Sequence, residues 1–146
     1  MGNMAARKRI ALVAHDSRKP TIVDWASRNR TRLARHDLWG TGTTGGQVAD
    51  ATGLAVSLLK SGPPGGDQQL GAMIAEGRLD ILIFFTDPLA ALPHDVDVKA
   101  LIRISTLHQT VIACNSATAD FVMGSALIEQ PYTAAVIAAT PKASGD

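Results

Sequence analysis

Two periods of apolar residues alternate along the chain. Short continuous apolar runs mark strands, and apolar residues every three to four positions mark helices. Ile10–Ala14 is the first predicted strand. Pro20 suits a first helical turn, and Ile22, Ala26 and Leu33 carry a helix over Thr21–Arg35, with Trp25 flanking the stripe. Asp37–Thr41 reads as a strand, Thr43–Thr52 as a helix closed by Gly53, and Ala55–Leu59 as a strand. Lys60–Gly66 is a Gly/Pro loop. Asp67–Glu76 is a helix with Leu70, Met73 and Ile74 on one face and Gly77 as its stop. Leu79–Phe85 is the most apolar segment and is predicted as the central strand. A loop over Asp87–Asp95 leads to a helix over Val96–Leu107, a strand over Thr110–Cys114 and a helix over Ser116–Leu127. A last short strand is expected at Ala134–Ala139.

Strand and helix alternating in this way predict an α/β fold, with a parallel sheet covered on both faces. The strands are continuous apolar runs, as burial on two faces demands. The expectation is a three-layer α/β/α, Rossmann-like domain around a five-stranded, mainly parallel sheet. A length of 146 residues suits one domain spanning 1–146, with 1–8 and 140–146 as loose ends.

Composition narrows the function classes. The net charge of +1 offers no bulk field for nucleic acid or an anionic membrane. The longest uninterrupted apolar run within Leu79–Phe85 is Ile81–Phe85, far too short to span a bilayer. Ile10–Ala14 is too brief for a signal sequence. The single cysteine, Cys114, permits no intramolecular disulfide and reads as a small buried strand residue. A cytoplasmic location is expected.

In an open parallel sheet, ligands bind beyond the carboxyl ends of the strands. His15, Asp16 and Lys19 follow the first predicted strand. Thr41, Gly42, Thr43 and Thr44 end the second and lead from it. Ser61, Gly62, Gly65, Gly66 and Asp67 follow the third, and His94, Asp95 and Asp97 come after the fourth. Glycines, threonine hydroxyls and a helix amino end together favour a phosphate site at Thr41–Gly46, against a plain cap by Thr43 or Thr44. Asp67 is either a helix cap or a carboxylate facing a ligand. His15 is either a structural histidine or a donor to a ligand. His94 stands in a proline-bounded loop, where a core role is harder to explain. His36 and His108 read as helix-end surface residues. No HExxH or similar spacing exists, so no metal is expected.

Ala11–Asp16 (ALVAHD), Thr41–Gly45 (TGTTG), Ser61–Gln69 (SGPPGGDQQ), Leu82–Leu89 (LIFFTDPL) and Pro93–Leu101 (PHDVDVKAL), in this order, resemble the motifs of the methylglyoxal synthase family. Ala117–Phe121 (ATADF) fits as well, and the likeness covers about Arg7–Ser125. The resemblance implies a cofactor-free lyase that converts dihydroxyacetone phosphate to methylglyoxal and inorganic phosphate. By position, Asp67 matches the general base, and His94 the histidine that polarises the carbonyl. His15 and Lys19 match substrate-binding positions. Thr41, Gly42, Thr43, Thr44, Ser61 and Gly62 match the phosphate cradle. Asp16, Asp87 and Asp97 match further acidic positions near the site. The family further implies a homohexamer inhibited by phosphate. Three departures stand out. Thr86 replaces a common tryptophan, Val96 replaces a proline, and the tail Pro131–Asp146 has no arginine for the phosphate control seen in the family.

Overall fold

The computed structural model describes residues 2–60, 65–89 and 98–135. The chain opens with β1 (Asn3–Met4), β2 (Arg9–Ala14), a 3-10 turn at Asp16–Arg18, α1 (Lys19–Arg28) and α2 (Arg30–Leu33). Then come β3 (Asp37–Thr41), α3 (Gly42–Thr52), β4 (Val56–Leu59), α4 (Gly66–Ala75) and β5 (Ile81–Phe85). It closes with α5 (Val98–Leu107), β6 (Val111–Ala113), α6 (Ser116–Gly124), a 3-10 turn at Ala126–Glu129 and β7 (Tyr132–Thr133).

Five strands form one parallel sheet in the order β4-β3-β2-β5-β6. The central strand is therefore β2 and not the more apolar β5, which lies beside it and is buried at every position. Residues of β2 alternate between two apolar layers. Ile10 and Leu12 pack with Ile22, Trp25, Val48 and Met123, from α1, α3 and α6. Ala11 and Val13 pack with Leu70, Met73, Ile74 and Leu101, from α4 and α5. The expected three layers are present, and both faces of the central strands β2 and β5 are dry, which explains their unbroken apolar runs, while the edge strand β4 exposes Ser57 and Leu58.

Three local expectations are corrected. The helix foreseen over Thr21–Arg35 starts at Lys19 and breaks at Asn29. There the backbone leaves the helical region (φ −105°, ψ 16°) and the Asn29 amide donates to the Trp25 carbonyl at 2.9 Å, competing with a continued helix. Trp25 is fully buried instead of flanking; its indole N–H donates to Asp120 at 2.9 Å and ties α1 to α6. The last helix stops at Gly124 and tightens into the following 3-10 turn.

The last strand forms at Tyr132–Thr133, earlier than expected, and pairs antiparallel with β1. Residues 136–139 of the foreseen strand lie outside the described residues. The pairing secures the amino-terminal segment expected to be loose: Met4 is buried, and so is Lys8. The Lys8 ammonium donates to the carbonyls of Ala5 at 2.6 Å and Gln130 at 2.5 Å, so it staples both chain ends under the sheet. Beside it, the Arg9 side chain forks onto buried Asp80, with Nε and Nη2 at 3.1 and 2.9 Å from the two carboxylate oxygens.

His36 is also buried, not a surface residue; its Nδ1 accepts the Lys8 main-chain N–H at 2.9 Å. Burial, with the Lys8, Arg7 and Arg35 charges, outweighs Glu129 and holds its pKa below the usual 6.5. The folded state thus favours the neutral ring. That preference stabilises the fold fully above the unfolded-state pKa and is lost as pH falls below 6.5 through the folded value. His36→Asn keeps an acceptor for Lys8 and does not titrate. Urea midpoints should therefore drop less between pH 8 and pH 5 in this variant than in the wild type.

α3 lies unusually close to β3. A Cβ on Gly40 would meet the Gly45 Cα at 2.5 Å, and one on Gly45 would meet Leu58 Cδ2 at 2.7 Å. Two glycines facing each other fix where the amino end of α3 stands. Gly40→Ala should displace that end and lower unfolding free energy by about 1–3 kcal/mol, read from urea denaturation.

Candidate active site

The chain runs from β2 outward to β3 and β4, then returns to β5 and continues to β6 on the other side. The strand order reverses between β2 and β5, which is where such sheets open a crevice at their carboxyl ends. His15 leaves β2 at this point, and Thr86 and Asp87 leave β5.

His15 continues the β2–β5 ladder one step past the strand, its N–H donating to the Phe85 carbonyl at 3.1 Å. The next position after Ala14 faces the α4/α5 layer, and the imidazole meets the Phe84 ring edge-on at 5.1 Å. Nδ1 accepts the Asp87 main-chain N–H at 2.8 Å. With Nδ1 accepting, the neutral ring carries its proton on Nε2. Nε2 is buried and has no partner among the described residues. His36 Nε2 is unpartnered in the same way, so the lone donor is not by itself diagnostic. The location distinguishes them: His36 lies at the amino edge among cations, and His15 lies at the switch point.

Two further groups brace this histidine, and the sequence did not single them out for it. The Ser17 hydroxyl donates to Asp87 Oδ2 at 2.6 Å, and the Leu89 N–H donates to Asp87 Oδ1 at 3.0 Å. Arg18 Nη2 stands 3.9 Å from the same Oδ1. Asp87 was expected only as an acidic neighbour of the site. Its main-chain N–H matters as much as its carboxylate. Beside it lies a cavity of about 390 Å³ lined by Arg18, Thr21, Thr86, Cys114 and Ser116, among others. Burial pushes the Cys114 thiol pKa up, so this cysteine is not an activated nucleophile.

The Thr41–Gly46 segment caps β3 and opens α3. Thr41 is the N-cap, in extended conformation, and its side chain makes no capping bond. Neither Thr43 nor Thr44 is the cap, so the plain capping alternative fails. The first turn of α3 carries no acidic residue. Its free N–H groups and the positive end of its dipole are thus not spent on a carboxylate. Thr41 and Thr44 are buried, Gly42 is half-buried, and the Thr43 side chain is exposed.

Lys19 is the first residue of α1 and pairs with Asp16 at 2.7 Å. Its side chain is 20% exposed and that of Asp16 is 72% exposed, so the cation is the more sheltered partner. Asp67 lies in the first turn of α4 but is not its cap; Gly65 is. Gly65 has φ +120°, a conformation open to glycine alone, and Gly66 is buried. Among the described residues, the Asp67 carboxylate accepts its neighbour's N–H, that of Gln68, at 3.0 Å. Gln69 accepts the Lys60 N–H at 2.7 Å and ties the helix start to the end of β4. Asp67 thus sits on the α4 side of the sheet, the side His15 faces. Ser61, Gly62, His94 and Asp97 lie outside the described residues.

Among the described residues, no three His, Cys, Asp or Glu side chains gather as a metal site needs, and no helix is long and apolar enough to cross a membrane.

Comparison with known proteins agrees with this geometry. A family model described as an MGS-like domain matches residues 21–113. A methylglyoxal synthase of Pectobacterium atrosepticum is 52% identical over 131 residues, covering 90% of this chain and 86% of that protein. One from Yersinia pestis is 53% identical over 133 residues, covering 91% and 86%. The crystal structure of methylglyoxal synthase from Elizabethkingia anophelis superposes with a TM-score of 0.90 at 47% identity, covering 95% of this chain and 91% of that one. The switch-point histidine, the open amino end of α3 and the carboxylate of α4 thus stand in a chain that belongs to the methylglyoxal synthase family.

Proposed function

We propose that this protein is a carbon–oxygen lyase acting on a phosphate ester: it converts dihydroxyacetone phosphate to methylglyoxal and inorganic phosphate. Family membership supports the reaction class. The observation that carries the reading is the His15 imidazole, held by the Asp87 amide with its Nε2–H unpartnered among the described residues, one strand from a helix amino end that holds no acid of its own.

In this reading the phosphate is held by Thr41, Gly42, Thr43, Thr44, Ser61 and Gly62, with Lys19 adding charge. Gly65 and Gly66 let the chain pass close to the substrate. Asp67 takes a proton from the hydroxymethyl carbon. The electron pair left behind forms a carbon–carbon double bond, and negative charge moves to the carbonyl oxygen. His15 and His94 donate hydrogen bonds to that oxygen, with Asp16 and Asp97 as acidic neighbours. The cradle holds the phosphate C–O bond out of the enediolate plane. The π electrons then expel phosphate, the hydroxyl of the deprotonated carbon gives its proton to the leaving phosphate and becomes an aldehyde, and the released enolate takes a proton from water and tautomerises to methylglyoxal. Orientation selects elimination over return of the proton to the neighbouring carbon. The reaction needs no cofactor. The protein works in the cytoplasm as a single-domain subunit of a homohexamer, with phosphate as product and inhibitor.

The deciding assay mixes purified protein with dihydroxyacetone phosphate and measures methylglyoxal and free phosphate in equal amounts. Glyceraldehyde 3-phosphate without phosphate release would make it an isomerase; anion binding without any product would make it a regulatory domain. Asp67→Asn keeps the acceptor for Gln68 and should lower kcat by about 10²–10⁴-fold with unchanged stability. Thr43→Ala removes one hydroxyl beside the phosphate. It should weaken substrate and inorganic phosphate together, by about tenfold each, measured by kinetics and by competitive inhibition.

A further inference from the structure

We propose that Ser17 is a positioning residue: through Asp87 it fixes which nitrogen of His15 carries the proton. This rests on the proposed reaction, in which His15 donates to the substrate oxygen.

Nothing among the described residues accepts from Nε2, and the partner of Nδ1 is a main-chain N–H, which can only donate. The proton is therefore kept on Nε2 for as long as the Asp87 amide stays aimed at Nδ1. That amide belongs to a residue two past the end of β5, one beyond Thr86, whose N–H still extends the ladder by donating to the Cys114 carbonyl at 3.2 Å. Its direction is held by its own side chain. One carboxylate oxygen takes the Leu89 N–H, which ties the turn to itself, and the other takes the Ser17 hydroxyl at 2.6 Å. The Ser17 bond and the looser Arg18 contact reach across to the turn that follows His15, and Arg18 Nε also donates to the Thr86 carbonyl at 3.4 Å. The main chain closes the loop: the His15 carbonyl accepts the Arg18 N–H at 2.8 Å. His15, Ser17 and Asp87 thus form a ring of contacts in which the hydroxyl is the bond between two turns that are 70 residues apart in sequence.

Without the hydroxyl, the carboxylate keeps Leu89 and Arg18 but loses its short contact across the crevice. The Asp87 amide then drifts from Nδ1, and the proton is shared between both ring nitrogens. Only molecules with the proton on Nε2 can donate to the substrate oxygen, so the effect falls on turnover. The phosphate groups of the substrate are held elsewhere, so binding changes little.

The test uses the full chain with ¹⁵N-labelled histidine. In the wild type, His15 should give one protonated nitrogen, Nε2, and one bare nitrogen; His15→Gln assigns the signals. In Ser17→Ala the two shifts should move toward each other. Its kcat on dihydroxyacetone phosphate should fall by about 5–20-fold with KM within about twofold. Ser17→Thr, which keeps the hydroxyl, should retain at least about half of wild-type kcat and the wild-type shifts. Ser17 is exposed, so thermal melting should report an intact fold in both variants. Wild-type shifts in Ser17→Ala overturn the proposal, as does a Ser17→Thr protein impaired as much as Ser17→Ala. If the wild type releases no methylglyoxal, the reaction assignment fails, and the imidazole shifts alone decide the role of Ser17.

Discussion

The parallel pairing of β2 with β5 is the constraint from which the site follows. Both strands are buried on two faces, and their register runs from Ile10–Ile81 to Ala14–Phe85. A slip of one residue would turn every side chain to the opposite layer, exchanging the partners of α1, α3 and α6 for those of α4 and α5. Burial on both faces makes that slip costly, so the register is firm. The ladder then extends one bond further, through the His15 N–H to the Phe85 carbonyl. A histidine placed by the sheet itself is as well located as a core residue, although it stands at the mouth of a crevice. Sites on rigid elements hold their geometry better than sites on loops.

The glycines at 40 and 45 extend the same logic to the amino end of α3, the second half of the proposed site. Their near-contact sets α3 against β3 at a distance no side chain allows. The amino end of α3 is thereby brought to the carboxyl edge of the sheet, one strand from His15. The opposite edge is organised differently. There Arg9 and Asp80 satisfy each other and Lys8 is spent on two carbonyls, so the ionisable groups serve to close the fold.

Much of this was legible in the sequence because burial on both faces writes a simple pattern. Continuous apolar runs gave the five parallel strands, and the polar residues following each run marked the binding edge. The order of the strands was not legible: the most apolar run, in β5, lies beside the centre, because β2 gains the same burial with smaller residues such as Ala11 and Ala14. The break at Asn29 escaped because it depends on a side-chain bond to Trp25 and not on periodicity. The pairing of β1 with β7 escaped because two-residue strands have no period to detect. His15 and the threonines of α3 were legible as polar residues following strands. The roles of Ser17 and of the Asp87 amide were not, since a hydroxyl and a main-chain N–H meeting partners some 70 positions away leave no trace in local spacing.

The amino ends of α3 and α4 are electrically unlike, and under the proposed reaction this bears on how a substrate charged at one end would lie. A helix amino end favours negative charge wherever it comes from. In α4 the first turn is already occupied by Asp67, a carboxylate of the protein itself. In α3 the first turn holds no acid, and the N-cap side chain does not turn back to satisfy the backbone. Under the proposed reaction, a phosphate would therefore favour α3 over α4, and the uncharged hydroxymethyl end would be left for the carboxylate. With a total charge of only +1, the protein has no long-range field to impose this orientation. Under the proposed reaction, the short-range difference between the two helix ends, together with Lys19, would set the orientation, placing the carbon to be deprotonated toward Asp67 and the leaving group toward α3.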